Sequence, residues 1–233
     1  VTDALEAGCE THCSRSQNQF RAKQIHKADS EVMFRRPPGP IANPIESCDT
    51  MEQAFRKSVE KYKERPFLGT REILEEKDEV QSNGRVFQKF VLGEYSWLTF
   101  ADMDAKTEAF GRGLREIGQE PKCNIVIFAE TRAEWLVAAY GCMKHNIPVV
   151  TIYATLGEDA IAHGINQTEV THVITSAELL PKFKTILHHT PKVKHLVYME
   201  SPLKKQPELA GFKDGIQLHA FEAVLEAGER STI

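Results

Sequence analysis

The sequence predicts an α/β protein in which a parallel sheet carries helices on both faces. Short apolar runs, typical of buried parallel strands, occur over residues 124–129, 147–153, 170–175 and 193–199. A helix start signal follows each of the first three runs. The runs begin roughly 20 residues apart, which is the spacing of repeated βαβ units with right-handed crossovers. We therefore expect a parallel sheet that is buried on both sides.

Composition indicates a folded globular protein and gives no reason to expect a nucleic acid partner. Of the 233 residues, 41% are hydrophobic and 27% are charged, and the net charge is -4. No apolar run in the sequence has the length needed to cross a bilayer, and the first ten residues lack the apolar centre of a secretory signal. The chain begins with Val1 rather than Met, so we expect that the beginning of the protein is missing or removed. The possibility of an upstream membrane anchor therefore stays open.

The five cysteines are scattered and odd in number, which favours a reducing compartment over a disulfide framework. Cys9, His12 and Cys13 lie close together, but no second Cys/His pair stands at a distance that would complete a zinc site. We interpret them as part of an exposed tail. The sequence predicts no metal ligand.

Residues 1–45 are polar and include the run RRPPGP at 35–40, in which the prolines remove backbone donors and favour an extended chain. We expect a disordered linker over 1–45 and a folded domain over 46–233. Basic residues in this segment also allow contact with a membrane surface, although a solvated linker is the favoured interpretation.

A helix and a small β region are predicted next. Thr50 and Gln53 have the capping-box spacing, and Met51, Phe55, Val59 and Tyr62 form one apolar stripe. Pro66 limits this helix. Two strands follow over 67–74 and 85–92, separated by a turn signal at 82–84, with a solvated charge run at 75–79 near the tip.

Capping patterns predict the helices of the α/β region. Thr99 with Asp102, Thr131 with Glu134, and Thr155 with Glu158 each place a hydroxyl and a carboxyl three residues apart. Gly118 is expected to stop the first of these helices.

The inward face of the second helix is expected to carry Trp135, Ala139 and Cys142. A fourth helix is expected over 176–189 with Pro181 in its first turn, then a loop over 201–212 and a short helix over 220–227.

Several functional motifs are absent from the sequence. Gly111 and Gly113 lie within a helical pattern without the third glycine of a dinucleotide fingerprint. There is no nucleophile elbow, no His-Glu-x-x-His pair, and no Ser/Thr/Gly-rich loop ending in Lys that could hold a triphosphate. The sequence therefore predicts no catalytic residue.

The loop after the second predicted strand is the one candidate for ligand contact. Tyr153, Ala154 and Thr155 connect the carboxyl end of that strand to the next helix, where open α/β sheets bind ligands. An ordinary βα turn explains the same residues, and the pattern alone favours that explanation.

Several segments together resemble the long-chain-fatty-acid–CoA ligases of the adenylate-forming superfamily. These segments are LGTREIL at 68–74, QSNGRVF at 81–87, LGEYSW at 92–97, ETRAEW at 130–135 and YATLG at 153–157. The resemblance covers most of residues 66–199. It is nearest to the animal members, and among them to the subgroup with an isozyme that favours polyunsaturated acyl chains.

The resemblance implies a two-step activation of a long-chain fatty acid, in which ATP gives an acyl-adenylate and pyrophosphate, and the CoA thiol then displaces AMP. The implied cofactors are ATP, Mg²⁺ and CoA. Residues 46–233 would form the N-terminal part of the AMP-binding domain, truncated before the phosphate loop, so we expect this stretch alone to be inactive. By position, Tyr153, Ala154 and Thr155 resemble a loop near the CoA nucleotide.

The resemblance also implies the cytosolic face of an intracellular membrane as the location: the endoplasmic reticulum, the outer mitochondrial membrane or the peroxisome. Membrane attachment would come from an anchor outside this stretch. Two alternatives stay open. The chain could be a truncated, non-catalytic interaction or membrane-associated module, or an unrelated nucleotide-binding α/β domain, although no phosphate-binding fingerprint follows any of its strands.

Overall fold

The computed structural model describes residues 23–28, 31–35 and 48–233, and the chain divides into two units, Val1–Thr50 and Met51–Ile233. In the first unit, strands β1 (Lys23–Ala28) and β2 (Glu31–Arg35) pair in antiparallel fashion. The other positions of 1–45, including Cys9, His12 and Cys13, lie outside the described residues, so the extent of disorder there stays a prediction.

The second unit contains the expected parallel sheet. Its strands are β5 (Ile125–Phe128), β6 (Val149–Thr151), β7 (His172–Ser176), β8 (His195–Met199) and β9 (Gln217–Ala220). They lie in the order β6-β5-β7-β8-β9, and every neighbouring pair is parallel. Four of the five strands match the apolar runs of the sequence. β9 was not predicted, because its four residues, QLHA, contain no apolar run.

Helices cover both faces of the sheet, as predicted. These helices are α2 (Phe100–Glu116), α3 (Ala133–Lys144), α4 (Glu158–Gln167), α5 (Leu180–Ile186) and α6 (Phe221–Arg230). Ile125 and Ile127 of β5 pack into the core under α2, α3 and α6, whereas Val126 and Phe128 pack into the core under α4 and α5. Because both faces of β5 are buried, its sequence is a continuous apolar run.

A helix and a long hairpin precede the α/β region. Helix α1 spans Met51–Tyr62, and β3 (Pro66–Val80) pairs with β4 (Val86–Thr99) in antiparallel fashion. The hairpin is longer than predicted, and the charge run at 75–79 lies inside β3 instead of at the tip. Both faces of this two-stranded sheet are largely exposed, so charged side chains are tolerated along the strand.

The predicted helix starts are only partly correct. Thr99 caps α2: the N–H of Asp102 donates to Oγ1 of Thr99 at 3.1 Å, and the N–H of Thr99 donates to Oδ2 of Asp102 at 2.9 Å. The capping prediction for Thr131 is wrong, because the N-cap of α3 is Arg132 and its side chain makes no cap. Thr155 does not cap α4 either, since the N-cap there is Gly157.

The last two helices also differ from the prediction. Helix α5 is shorter than the expected 176–189, because Ser176 still belongs to β7 and the N–H of Ala177 donates to the carbonyl of Met199. Pro181 does lie in its first turn. Helix α6 extends to Arg230, beyond the expected 220–227.

Candidate functional site at the carboxyl edge of the sheet

The strand order creates a crevice at the carboxyl edge of the sheet. After β5 the chain enters α3 on one face, whereas after β7 it enters α5 on the other face. In open α/β sheets, ligands bind where neighbouring strands diverge in this way. The loops that follow β5 and β7 therefore form the candidate site, and the loop after β6 reaches the same edge.

A side-chain hydrogen bond connects the loop after β5 to the end of β7. The hydroxyl of Ser176 donates to Oε2 of Glu130 at 2.8 Å. Ser176 is fully buried, whereas Glu130 is exposed. The buried hydroxyl thus holds one carboxylate oxygen of Glu130 at the mouth of the crevice.

Arg132 and Glu134 form a paired contact beside this bond. Nε and Nη2 of Arg132 donate to the two carboxylate oxygens of Glu134 at 2.9 and 2.7 Å. Burial alone would lower the pKa of Arg132 and raise the pKa of Glu134, but the hydrogen bonds and the opposite charges outweigh burial and shift both pKa values the other way. The Arg132 charge is therefore engaged within the protein.

Acidic residues dominate the rest of this edge. Burial, followed by the charges of Glu222 and Glu134, raises the pKa of Glu200 after β8. Glu178 follows β7 and acts on Arg132 through its charge. A carboxylate-rich edge with one engaged arginine does not fit a triphosphate, which needs uncommitted cations and backbone donors. In the described ranges, no group of three or more His, Cys, Asp or Glu residues is arranged to hold a metal ion.

The loop after β6 is held by a lysine from α5. Nζ of Lys182 donates to the carbonyl of Ala154 at 3.2 Å and lies 5.7 Å from the ring centroid of Phe128. Tyr153 is 80% exposed, and Thr155 is also exposed. The exposed ring of Tyr153 is a surface on which a nucleotide base could stack.

The structure thus places Tyr153, Ala154 and Thr155 at the expected edge and brings Ala154 to Lys182. Sequence reasoning did not identify Lys182, nor the contacts of Glu130 and Arg132. The contacts of Lys182 with Ala154 and of Glu130 with Ser176 join segments distant in sequence, and the strand order brings them together, whereas Arg132 and Glu134 are only two residues apart. A polar residue just after each buried strand was the one available signal.

The comparisons with known proteins identify the family. The AMP-binding enzyme family matches residues 74–224. The chain belongs to the AMP-binding enzyme family. Within the family, the chain is distantly homologous to long-chain acyl-CoA synthetases.

Several curated relatives come from a plant and from yeasts. Long chain acyl-CoA synthetase 8 of Arabidopsis thaliana is 37% identical over 165 residues, covering 71% of this chain and 23% of that protein. Long-chain-fatty-acid–CoA ligase 2 of Schizosaccharomyces pombe is 26% identical over 201 residues, covering 81% of this chain and 29% of that protein. The chain therefore spans about a quarter of the length of these relatives.

Solved structures of adenylation domains share the fold. The adenylation–carrier didomain of a carboxylic acid reductase from Segniliparus rugosus, in complex with AMP, superposes with a TM-score of 0.60 at 14% identity. That match covers 77% of this chain and 26% of the reductase chain. The adenylation domain of a carboxylate reductase from Mycobacterium chelonae gives a TM-score of 0.61 at 15% identity, covering 79% and 30% of the two chains.

Among the described residues, no helix is long and apolar enough to cross a bilayer.

Proposed function

We propose that this chain contributes the N-terminal α/β part of a long-chain-fatty-acid–CoA ligase. The observation that carries the proposal is the 37% identity over 165 residues to a long chain acyl-CoA synthetase. Family membership supports ATP-dependent activation of a carboxylate. The choice of a long-chain fatty acid as the carboxylate is the more specific part of the proposal. It is supported by the names of several relatives that share the same region.

The proposed reaction has two steps. A carboxylate oxygen of the fatty acid attacks the α-phosphorus of ATP, which releases pyrophosphate and forms the acyl-adenylate. The CoA thiol then attacks the acyl carbon, the thiol proton leaves, and AMP departs. Mg²⁺ would supply charge neutralisation at the phosphates. The carboxyl edge of this chain does not fit that role, so no step is assigned to its residues.

Within this proposal, Tyr153, Ala154 and Thr155 lie beside the nucleotide of CoA. Two features support the assignment: the exposed ring of Tyr153 offers a stacking surface, and Lys182 holds the Ala154 carbonyl so that the loop keeps one conformation. Lys182 also brings a positive charge to an otherwise acidic edge.

The cellular setting of the proposed enzyme is the cytosolic face of an intracellular membrane, through an anchor outside this stretch. A long-chain fatty acid partitions into membranes, so an enzyme at the membrane surface would meet its substrate there. Kinship with the animal subgroup rests on the motifs at 68–74, 81–87 and 92–97.

A non-catalytic interaction module is the second candidate, and the β3–β4 hairpin favours it. Its exposed large apolar side chains include Leu74, Phe87, Phe90, Tyr95 and Trp97. Exposed apolar surface of this kind is common at protein interfaces. An interaction module would bind a partner but would catalyse no reaction, even as part of a longer chain. This difference distinguishes it from the enzyme.

The first half-reaction tests the enzyme proposal. In a chimera, residues 46–233 replace the matched region of Arabidopsis thaliana long chain acyl-CoA synthetase 8, and pyrophosphate–ATP exchange is measured with palmitate, with acetate and without acid. We expect exchange that depends on palmitate and greatly exceeds exchange with acetate. A folded chimera whose exchange does not depend on palmitate would contradict the enzyme proposal and favour the interaction module.

A further inference from the structure

Three histidines form a stack across neighbouring strands of the sheet. His172 of β7 lies opposite His195 of β8, with ring centroids 4.2 Å apart and planes inclined by 2°. His219 of β9 extends the stack, with its ring centroid 5.4 Å from that of His195 and an inclination of 17°. The histidine stack, as we call these three side chains, is separate from the carboxyl-edge site, because His172 and His195 are the first residues of their strands.

The hydrogen bonds of the stack suit neutral rings. Nδ1 of His195 lies 3.2 Å from Nε2 of His219, and such a bond needs one N–H and one bare nitrogen. Nδ1 of His172 lies 2.8 Å from the hydroxyl of Thr171, and Nε2 lies 3.1 Å from the carbonyl of Ile117, just past the end of α2. A neutral His172 with its proton on Nε2 donates to that carbonyl and accepts from Thr171.

Protonation would oppose this geometry in two ways. A second proton on both His195 and His219 would aim two N–H groups at each other across 3.2 Å. Charging His172 and His195 together would place two like charges in rings that stack at 4.2 Å. Acid therefore weakens the ring contacts that connect the strands β7, β8 and β9.

The charged groups around the stack do not offset a positive charge. Lys194, next to His195, is itself positive, and it lowers the pKa of His195 together with burial and His219. Charged side chains of α2 and α6 are engaged elsewhere or exposed. Arg115 pairs with Glu120, Ser231 donates to Glu116, Arg230 pairs with Glu226, Glu222 acts on Glu200, and Glu229 is exposed.

We propose that the histidine stack is an acid-sensitive latch that holds the strands β7, β8 and β9 together while its rings are neutral. Protonation places like charges in the stacked rings and separates them, whereas Nε2–H of a charged His172 still donates to the Ile117 carbonyl. The latch belongs to this part of the fold and does not depend on the proposed enzymatic activity.

The pKa directions give the pH window of the latch. Burial lowers the pKa of His172 to about 4, and burial also lowers the pKa of His219. Because an unfolded histidine titrates near about 6.5, the unfolded chain binds protons first as the pH falls. The contribution of neutral His172 to the free energy of unfolding is complete above about pH 6.5 and declines below it. At pH 5.5, the loss from His172 alone makes the unfolding equilibrium constant about tenfold larger.

Denaturant unfolding at pH 7.5 and 5.5 tests the latch, with His172→Gln as the variant and His188→Gln, at an exposed position, as the control. When the pH falls from 7.5 to 5.5, the unfolding equilibrium constant should increase in the parent chain and in His188→Gln. We expect that increase to be about ten times the increase in His172→Gln. His145, whose pKa burial also lowers, is unchanged in all three proteins and cancels in the comparison. Equal pH dependence in the parent chain and His172→Gln would overturn the proposal.

A second measurement does not require the variant to fold. In the unmutated chain, NMR titration of the imidazole ¹³Cε1 signals should show His172 changing well below about pH 6.5, the ordinary value for a histidine. Amide hydrogen exchange in β8, which lies between β7 and β9, should accelerate at pH 5.5 after correction for its intrinsic pH dependence. A His172 ring that titrates near about pH 6.5, or unchanged protection in β8, would overturn the latch.

Discussion

At the scale of single residues, helix capping shows how a local pattern can be right or wrong for a stated reason. Thr99 and Thr131 have the same spacing to a carboxylate, yet only Thr99 caps its helix. Asp102 is free to bind the Thr99 backbone, whereas both carboxylate oxygens of Glu134 accept from Arg132. The sequence shows the spacing, but it does not show the competing partner.

Thr99→Ala and Thr131→Ala are therefore expected to differ. Loss of the Thr99 cap should lower the free energy of unfolding by about 1 kcal/mol, since it removes a hydrogen bond from a helix end. Thr131→Ala should leave it within about 0.5 kcal/mol. Denaturant melts of both variants and the parent chain measure the difference, and equal losses would contradict the assigned caps.

Trp135 tests the predicted inward face of α3. Ala139 and Cys142 on that face are buried, and burial raises the pKa of the Cys142 thiol to about 12. Trp135 packs against the same core but is only partly buried. Trp135→Ala should cost about 2 kcal/mol or more, below the cost for a fully buried tryptophan.

Trp97 on the hairpin is the matched control, because it is 53% exposed and stacks on Tyr95 at 5.4 Å. Trp97→Ala should cost less than Trp135→Ala in the same melts. The reverse order would mean that α3 presents Trp135 to solvent, and the predicted orientation of the helix would be wrong.

At the scale of elements, the sequence predicted four strands of the sheet and the helices between them, because long apolar runs and their spacing are local properties. It could not predict that β6 and β7 flank β5, which follows from packing among all strands. The position of Tyr153, Ala154 and Thr155 after a predicted strand indicated the loop and the resemblance suggested its ligand, but its link to Lys182 depends on that strand order. The ends of α5 and the length of the hairpin also depend on contacts distant in sequence.

The crossing of α2 and α6 depends on two glycines. A Cβ atom at Gly228 would overlap the carbonyl oxygen of Ala109, and one at Gly113 would overlap the carbonyl oxygen of Val224. Both obstacles are backbone atoms, so the helices would have to move apart. The crossing therefore needs glycine at both positions.

Gly228→Ala is expected to lower the free energy of unfolding by about 1–3 kcal/mol through overpacking, even though alanine favours a helix more than glycine does. Gly93→Ala on the hairpin is the control, because its nearest neighbour would be Cδ2 of Leu74 at 3.4 Å, an ordinary contact. Thermal or denaturant melts compare the two. A Gly228→Ala variant as stable as the parent chain would rule out the close crossing.

At the scale of the whole molecule, the described part of the chain builds the α/β scaffold of an AMP-binding family member, and its carboxyl edge does not fit a triphosphate. The carboxyl edge is acidic, and its arginine is engaged with Glu134. We expect no fatty-acid-dependent pyrophosphate–ATP exchange by the purified 233-residue chain above a protein-free blank. A rate above the blank that disappears when the fatty acid is removed would show that phosphate-binding groups are present in this chain.

The complete reaction of the chimera with Arabidopsis thaliana long chain acyl-CoA synthetase 8 tests the central claim most directly. The measurement is palmitoyl-CoA formed from palmitate, ATP and CoA, beside the same chimera carrying Ile127→Pro. That substitution removes a backbone donor in the central strand β5 and should abolish the fold and the product. The account predicts palmitoyl-CoA from the chimera and none from Ile127→Pro. A chimera that unfolds cooperatively, as a folded protein does, yet forms no palmitoyl-CoA would contradict it.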